Sequence, residues 1–174
     1  EHDVADLVLM GIPPTRPSTK FGYIVPGDAK EGYMSVSRFT EKPDRQGAKE
    51  LLAQGAYWNA GVFAFRLGYL MDIVGQYVRT DSFSDFRDSY GKLPQISFDY
   101  EVAEECTSIA LVPYEGCWKD LGDWNALVEE LSTTTVGNVV LGKNVFDTAV
   151  INELSLPIVC DGVSDIVVAA GHDG

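Results

Sequence analysis

Four short clusters of polar and charged residues could carry chemistry. The first, Phe39-Thr40-Glu41-Lys42-Pro43, stands at the end of a predicted strand. Ligands of open α/β sheets bind beyond the strand ends, so Lys42 could neutralise a phosphate there. The neighbouring Glu41 could accept hydrogen bonds from sugar hydroxyls. The alternative is a solvated charge pair in front of a helix that starts at a proline.

The second cluster is Tyr57-Trp58-Asn59-Ala60-Gly61. The Asn59 amide offers donors and an acceptor, which suits the vicinal hydroxyls of a sugar. Gly61 has no Cβ and would permit close approach of the backbone. The alternative is a buried tryptophan at the turn that enters a strand.

The other two clusters are Ser97-Phe98-Asp99-Tyr100-Glu101 and the segment from Trp118 to Trp124. The former has the form of a helix start with an acidic first turn, which is a structural role in itself. In the latter, Asp123 is required as a helix cap, whereas Asp120 is not. A loop carboxylate of this kind is a reasonable ligand for Mg²⁺, and the alternative for Asp120 is a turn residue.

The elements that would position these clusters alternate between strands and helices up to residue 135, which predicts an α/β fold. After Gly137-Asn138, short apolar runs follow one another with no helical pattern between them, which predicts a β-rich module. We therefore divide the chain into residues 1–135 and 136–174. Strands are predicted at Leu7–Ile12, Tyr23–Val25, Met34–Phe39, Trp58–Phe65 and Ile109–Val112, and helices after Asp44, from Leu67, after Ser97 and after Asp123.

The composition excludes several classes of partner. The chain has 174 residues, of which 45% are apolar, and its formal net charge is −13. A polyanion repels nucleic acid and anionic lipid, and no apolar run is long enough to span a membrane. We therefore expect neither a nucleic-acid nor a membrane partner. A small anionic substrate stays possible, because a few placed cations can hold one phosphate.

The cysteines indicate a reduced, cytoplasmic protein. There are three, an odd number, and no pair has the CxxC spacing of a redox or zinc motif. Neither histidine stands in a metal-ligand pattern.

In their order along the chain, the clusters resemble the sugar-nucleotide pyrophosphorylases, the nucleotidyltransferase family that makes NDP-sugars, and within it the mannose-1-phosphate guanylyltransferases. The resemblance covers nearly the whole chain, and the ordered set is far more specific than any one motif. The matching segments are Gly11–Pro17 with Phe21–Ile24 (G-I-x-P-T-x-P…G-Y-I), Arg38–Asp44 (R-F-x-E-K-P-D), Trp58–Phe63 (W-N-x-G-x-F), Ser97–Tyr100 (S-I-D-Y), Trp118–Trp124 (W-x-D-x-G-x-W) and Gly137–Val140.

The resemblance implies a Rossmann-like mixed sheet with flanking helices in residues 1–135 and the start of a C-terminal β module in 136–174. It implies transfer of a nucleotidyl group from GTP to mannose 1-phosphate, with Mg²⁺ as cofactor. By the same resemblance, Lys42 holds the sugar phosphate, Glu41 and Asn59 hold sugar hydroxyls, and Gly22 lets the backbone approach the ring. Asp120 would bind Mg²⁺, and Asp99 would contribute to substrate binding.

The chain departs from the family pattern in one respect. It contains no glycine-rich G-G-x-G-x-R-L loop to cradle the nucleoside triphosphate, and no lysine following such a loop. We therefore expect an internal fragment that lacks roughly 150 residues before it and is inactive alone. Such a piece of a central sheet would expose an unpaired edge and apolar faces, so self-association into a homo-oligomer is possible.

Two other functions stay open from the sequence. One is a glucose-1-phosphate nucleotidyltransferase, because E-K-P and W-x-D-x-G recur in relatives that use that sugar. The other is a non-catalytic module that binds a sugar phosphate or assembles with other chains.

Overall fold

A computed structural model describes residues 4–79 and 82–173 of the chain. The chain forms two compact units, Glu1–Trp118 and Lys119–Gly174. These units reflect compactness alone, so the boundary near residue 135, inferred from the change of pattern, stays a prediction.

The first unit is built on a five-stranded mixed sheet. Its strands are β1 (Leu7–Ile12), β2 (Tyr23–Ala29), β3 (Met34–Thr40), β4 (Tyr57–Phe65) and β5 (Ile109–Pro113). They are arranged in the order β1-β4-β2-β3-β5 and close into a barrel. The strands β1 and β5 pair in parallel, and the other pairs are antiparallel. The predicted α/β class with a mixed sheet is confirmed.

The expectation of an unpaired sheet edge is wrong for this sheet. The strand β3 pairs with β5, and Met34 lies opposite Leu111. The pairing of β2 with β3 is irregular around Pro26. Pro26 has no N–H to give to the ladder, and the register with β3 shifts on both sides of it. The predicted strand Tyr23–Val25 extends to Ala29, and the chain turns after it, where the Lys30 N–H donates to the Tyr33 carbonyl over 2.8 Å.

Helices flank this sheet, and most were predicted. They are α1 (Arg45–Ala53), α2 (Leu67–Tyr77), α3 (Phe83–Ser89), a 3₁₀ turn (Tyr90–Lys92) and a π-helical turn (Asp99–Ala103). The start of α1 is as expected, since the Asp44 carboxylate accepts the Gly47 N–H at 2.7 Å. The helix α3 was not predicted.

Two apolar clusters pack on the opposite faces of the sheet. Alternate residues of a strand point to opposite faces. Thus Ile24 enters one cluster with Leu7 and Leu9, while Tyr23 and Val25 enter the other with residues of α1. This packing decides on which face of the sheet each side chain near a strand end lies.

The second unit begins with a short helix and continues as strands that pair in parallel. The helix is α4 (Trp124–Glu130), and the strands are β6 (Thr135–Val136), β7 (Val139–Leu141), β8 (Phe146–Asn152), β9 (Ile158–Cys160) and β10 (Ser164–Ala170). The strands β6, β8 and β10 stack in one sheet, and β7 pairs with β9 in another. Parallel pairing of every second strand is the arrangement of successive coils in a β-solenoid.

A buried asparagine holds two of these coils together. Asn152 is 3% exposed, and its Nδ2 donates to the carbonyls of Asn138 and Leu156 at 2.7 and 2.8 Å. Its Oδ1 accepts the Leu154 N–H at 3.0 Å. The side chain thus joins backbone groups at two corners of the coil.

Two further observations concern the predicted setting of the protein. Among residues 4–79 and 82–173, no helix is both long enough and apolar enough to cross a membrane. The three cysteines are free thiols, with Cys106 and Cys160 buried and Cys117 exposed.

Candidate functional site

Most of the predicted site residues lie together in the first unit. They come from the start of β2, the end of β3, the middle of β4 and the π-helical turn, and are linked by direct contacts. These residues are Gly22, Glu41, Lys42, Asn59 and Asp99. The sixth, Asp120, belongs to the second unit.

Glu41 and Lys42 form an ion pair at the carboxyl end of β3. The Lys42 Nζ lies 3.1 Å from Glu41 Oε1. The side chain of Glu41 is only 5% exposed, whereas that of Lys42 is 55% exposed. Lys42 has a φ of 42°, in the left-handed region that costs a residue with a Cβ about 1–2 kcal/mol. Strain of this size is typical of positions that serve a ligand.

The second oxygen of the Glu41 carboxylate has no protein partner. Within the described part of the chain, Glu41 Oε2 is buried and accepts no hydrogen bond. Burial raises the pKa of Glu41, the hydrogen bond from Lys42 opposes this shift, and the charge of Asp99 adds to it. A buried acceptor without a donor is costly, so a hydroxyl group brought in by a ligand would be favourable here.

Gly22 leaves the space that the Glu41 carboxylate fills. A Cβ at Gly22 would collide with Glu41 Oε2 and would come within 2.8 Å of Phe39 Cζ. The Gly22 carbonyl also accepts the backbone N–H of Asn59 at 2.8 Å. The absence of a side chain is therefore required by the packing of the site itself.

The Asn59 amide is held on both sides. Its Nδ2 donates to Asp99 Oδ1 at 2.9 Å, and its Oδ1 accepts the Gly61 N–H at 3.1 Å. Asn59 is 8% exposed. One N–H and one lone pair of the amide are thereby used, which fixes its orientation and leaves one of each for a ligand.

One residue of the cluster was missed by the sequence analysis. Glu104 Oε1 accepts the backbone N–H of Glu41 at 2.6 Å, across 63 positions of the chain. No spacing rule connects these two residues. The one available signal was that Glu104 follows the predicted helical segment that carries Asp99.

An aromatic group stands beside the polar cluster. The rings of Phe21 and Trp58 lie 4.7 Å apart between centroids, and those of Phe21 and Trp118 lie 5.7 Å apart edge to face. Phe21 directly precedes Gly22 in the sequence, and Trp58 directly precedes Asn59. Their packing holds the backbone beside Gly22 and Asn59.

Asp120 is exposed and lies in the loop before α4. Its Oδ1 accepts the Gly122 N–H at 3.0 Å, a local turn that orients the carboxylate. No set of three or more histidine, cysteine, aspartate or glutamate side chains within residues 4–79 and 82–173 is placed to hold a metal ion.

Comparison with known proteins identifies the family of the chain. A family model described as nucleotidyl transferase matches residues 1–136. The chain belongs to the nucleotidyl transferase family, as the order of its motifs predicted.

The similar proteins are more specific. Mannose-1-phosphate guanylyltransferases from Klebsiella pneumoniae and Escherichia coli are each 31% identical over 195 residues, covering 98% of this chain and 41% of the relative. A solved structure from Thermus thermophilus, named mannose-1-phosphate geranyltransferase, is 32% identical. It superposes with a TM-score of 0.66 over 97% of this chain and 54% of its own. The chain thus spans about two fifths of the length of these curated relatives.

Proposed function

We propose that this chain supplies the sugar-phosphate side of a nucleotidyl transfer from GTP to mannose 1-phosphate. In the full-length enzyme the products are GDP-mannose and pyrophosphate. The similarity to mannose-1-phosphate guanylyltransferases supports the choice of substrates. The geometry around Glu41 and Lys42 supports the proposal that this chain binds the sugar phosphate.

The observation that carries the proposal is a buried carboxylate oxygen without a donor next to an exposed ammonium group. The Glu41 oxygen accepts a hydrogen bond from a sugar hydroxyl, and the Lys42 ammonium group binds the phosphate. Asp99 and Glu104 place further negative charge near Glu41, which repels a phosphate from that side. The charge distribution therefore orients a sugar phosphate with its hydroxyls inward and its phosphate at Lys42.

The proposed reaction requires positioning more than covalent catalysis. A phosphate oxygen of the sugar phosphate forms a bond to the α-phosphorus of GTP, and the bond from that phosphorus to the β-phosphate oxygen breaks. Holding the sugar phosphate in line can supply several kcal/mol of rate enhancement. Glu41 and Asn59 fix the sugar ring, and Lys42 fixes the attacking phosphate and offsets part of its charge.

The magnesium ligand that we propose from this chain is Asp120, in the second unit. Asp120 supplies one exposed carboxylate, and phosphate oxygens would complete the coordination, as is common for this ion. Bound magnesium would neutralise phosphate charge. The chain contains no glycine-rich nucleotide loop in its 174 residues, so we propose that these residues alone do not form GDP-mannose.

The test is calorimetric titration of the 174-residue chain with mannose 1-phosphate. We expect Lys42→Ala to weaken binding about tenfold or more, which corresponds to about 1.4 kcal/mol. Lys49→Ala, at an exposed lysine of α1, is the matched control and should bind as the unsubstituted chain does. Equal affinity in both variants would exclude Lys42 from the site. Titration with glucose 1-phosphate separates the two sugars.

A further inference from the structure

Glu104 connects two parts of the chain that the proposed site brings together. Its Oε1 accepts the N–H of Glu41 at 2.6 Å, and hydrogen bonds to a carboxylate are stronger than those between neutral groups. The backbone N–H of Glu104 donates to the Asp99 carbonyl at 2.9 Å, which closes the π-helical turn. Glu104 is therefore anchored to the turn that holds Asp99 while its side chain reaches the end of β3.

The segment that Glu104 holds is conformationally strained. Lys42 follows Glu41 directly and occupies the left-handed region with a φ of 42°. A lysine stays in this region only where its neighbours hold it there. The hydrogen bond from the Glu41 N–H restrains the Thr40–Glu41 peptide, so the backbone is held on the N-terminal side of Glu41, one residue before the strained lysine.

The same turn also holds the other polar arm of the site. Asp99 accepts the Asn59 side-chain amide at 2.9 Å, so one turn fastens β3 through Glu104 and β4 through Asp99. We propose that Glu104 is a positioning residue of the sugar-phosphate site. By accepting a hydrogen bond from the backbone N–H of Glu41, it fixes the backbone that carries the side chains of Glu41 and Lys42. This inference rests on the function proposed above.

The test compares Glu104→Ala, Glu104→Asp and Glu104→Gln with Glu105→Ala, a neighbouring exposed glutamate. Glu104→Ala removes the acceptor, and Glu104→Asp shortens the side chain and so withdraws the acceptor from the Glu41 N–H. Glu104→Gln keeps an oxygen acceptor at the same side-chain length. We expect Glu104→Ala and Glu104→Asp to weaken mannose 1-phosphate binding about tenfold. Glu104→Gln should recover most of the affinity, and Glu105→Ala should leave it unchanged.

A second measurement needs no ligand. In an amide proton–nitrogen NMR spectrum, the Glu41 proton should be shifted downfield by its short bond to a carboxylate. It should move upfield in Glu104→Ala and stay in place in Glu105→Ala. If Glu104→Ala folds poorly, Glu104→Asp gives the same comparison with the charge retained.

The two measurements separate the inference from the function on which it rests. If the unsubstituted chain binds no sugar phosphate, the proposed function fails, and the Glu41 amide still decides whether Glu104 holds this backbone. An unchanged Glu41 amide in Glu104→Ala overturns the inference. So does full affinity in a folded Glu104→Ala, because the bond would then not position the pair.

Discussion

The side-chain amide of Asn59 donates to Asp99 Oδ1 across 2.9 Å and joins β4 to the π-helical turn. The two residues are 40 positions apart and come from separate sequence motifs. The bond holds the side chain of Asn59 on β4 and that of Asp99 on the π-helical turn in one arrangement. The orientation of the Asn59 amide then follows, because a carboxylate accepts hydrogen bonds and cannot donate them when ionised.

The Asn59–Asp99 bond predicts the effect of a change that keeps the shape of the side chain. Asn59→Asp would replace the donor with a second carboxylate facing Asp99, and like charges at this distance repel. We expect the free energy of unfolding to fall by about 1–3 kcal/mol. Urea denaturation measures this change.

The control for this substitution is Asn125→Asp on the exposed surface of α4. It should change the free energy of unfolding by less than about 0.5 kcal/mol. Equal effects at the two positions would mean that the bond from Asn59 to Asp99 does not contribute to stability.

The close packing at Gly22 leads to a second prediction. Gly22→Ala would place a Cβ against Glu41 Oε2 and Phe39 Cζ, so the carboxylate must move. We expect a loss of about 1–3 kcal/mol of stability and roughly tenfold or greater weakening of mannose 1-phosphate binding. Thermal unfolding and calorimetry measure the two effects.

Gly75→Ala is the matched control for Gly22→Ala. Nothing lies within 4 Å of a Cβ built at Gly75, which is inside α2. Alanine is the better helix former, so this variant should be more stable by about 0.5–1 kcal/mol. If Gly22→Ala behaved in the same way, the proposed crowding at Gly22 would be incorrect.

Much of the first unit could be predicted from the sequence because its signals are local. Alternation marked the strand Met34–Phe39, and the capping aspartate with a closing glycine marked α1. Glu41 and Lys42 stood at the end of a predicted strand, where ligands of α/β sheets are expected, and Asn59 stood two residues before Gly61. Their role in binding a ligand stays a prediction. Periodicity and capping report on neighbours in the sequence, and these features depend on such neighbours.

The remainder depends on contacts between distant residues. Closure of the sheet rests on two residue pairs between β3 and β5, and no sequence period encodes such a pairing. The acceptor role of Glu104 depends on where the π-helical turn packs. The parallel stacking of β6, β8 and β10 was missed for the same reason, since short apolar runs do not distinguish parallel from antiparallel partners.

The raised pKa of Glu41 predicts how stability changes with pH. Burial is the largest cause of the shift from the ordinary value of 4.5. The folded state then binds this proton more tightly than the unfolded state does, so the contribution is fully present below pH 4.5. It is lost as the pH rises through the raised pKa of the folded state.

Glu41→Gln isolates this contribution, because glutamine does not titrate. The free energy of unfolding of the unsubstituted chain, minus that of Glu41→Gln, should decrease as the pH rises from below 4.5. Denaturant unfolding at a series of pH values measures this difference. A difference that increased with pH would show that the ion pair with Lys42 outweighs burial.

The last prediction concerns the coil corner in the second unit. Gly137 and Gly162 both have left-handed backbones, with φ of 82° and 66°. A Cβ at Gly137 would collide with the backbone carbonyl oxygen of Asn152, whereas a Cβ at Gly162 would meet nothing within 4 Å. Alanine at Gly162 should therefore cost only the left-handed conformation, about 1–2 kcal/mol. Gly137→Ala must also displace a strand end, so its loss in urea unfolding should be clearly larger. Equal losses would mean that the coil corner adjusts freely.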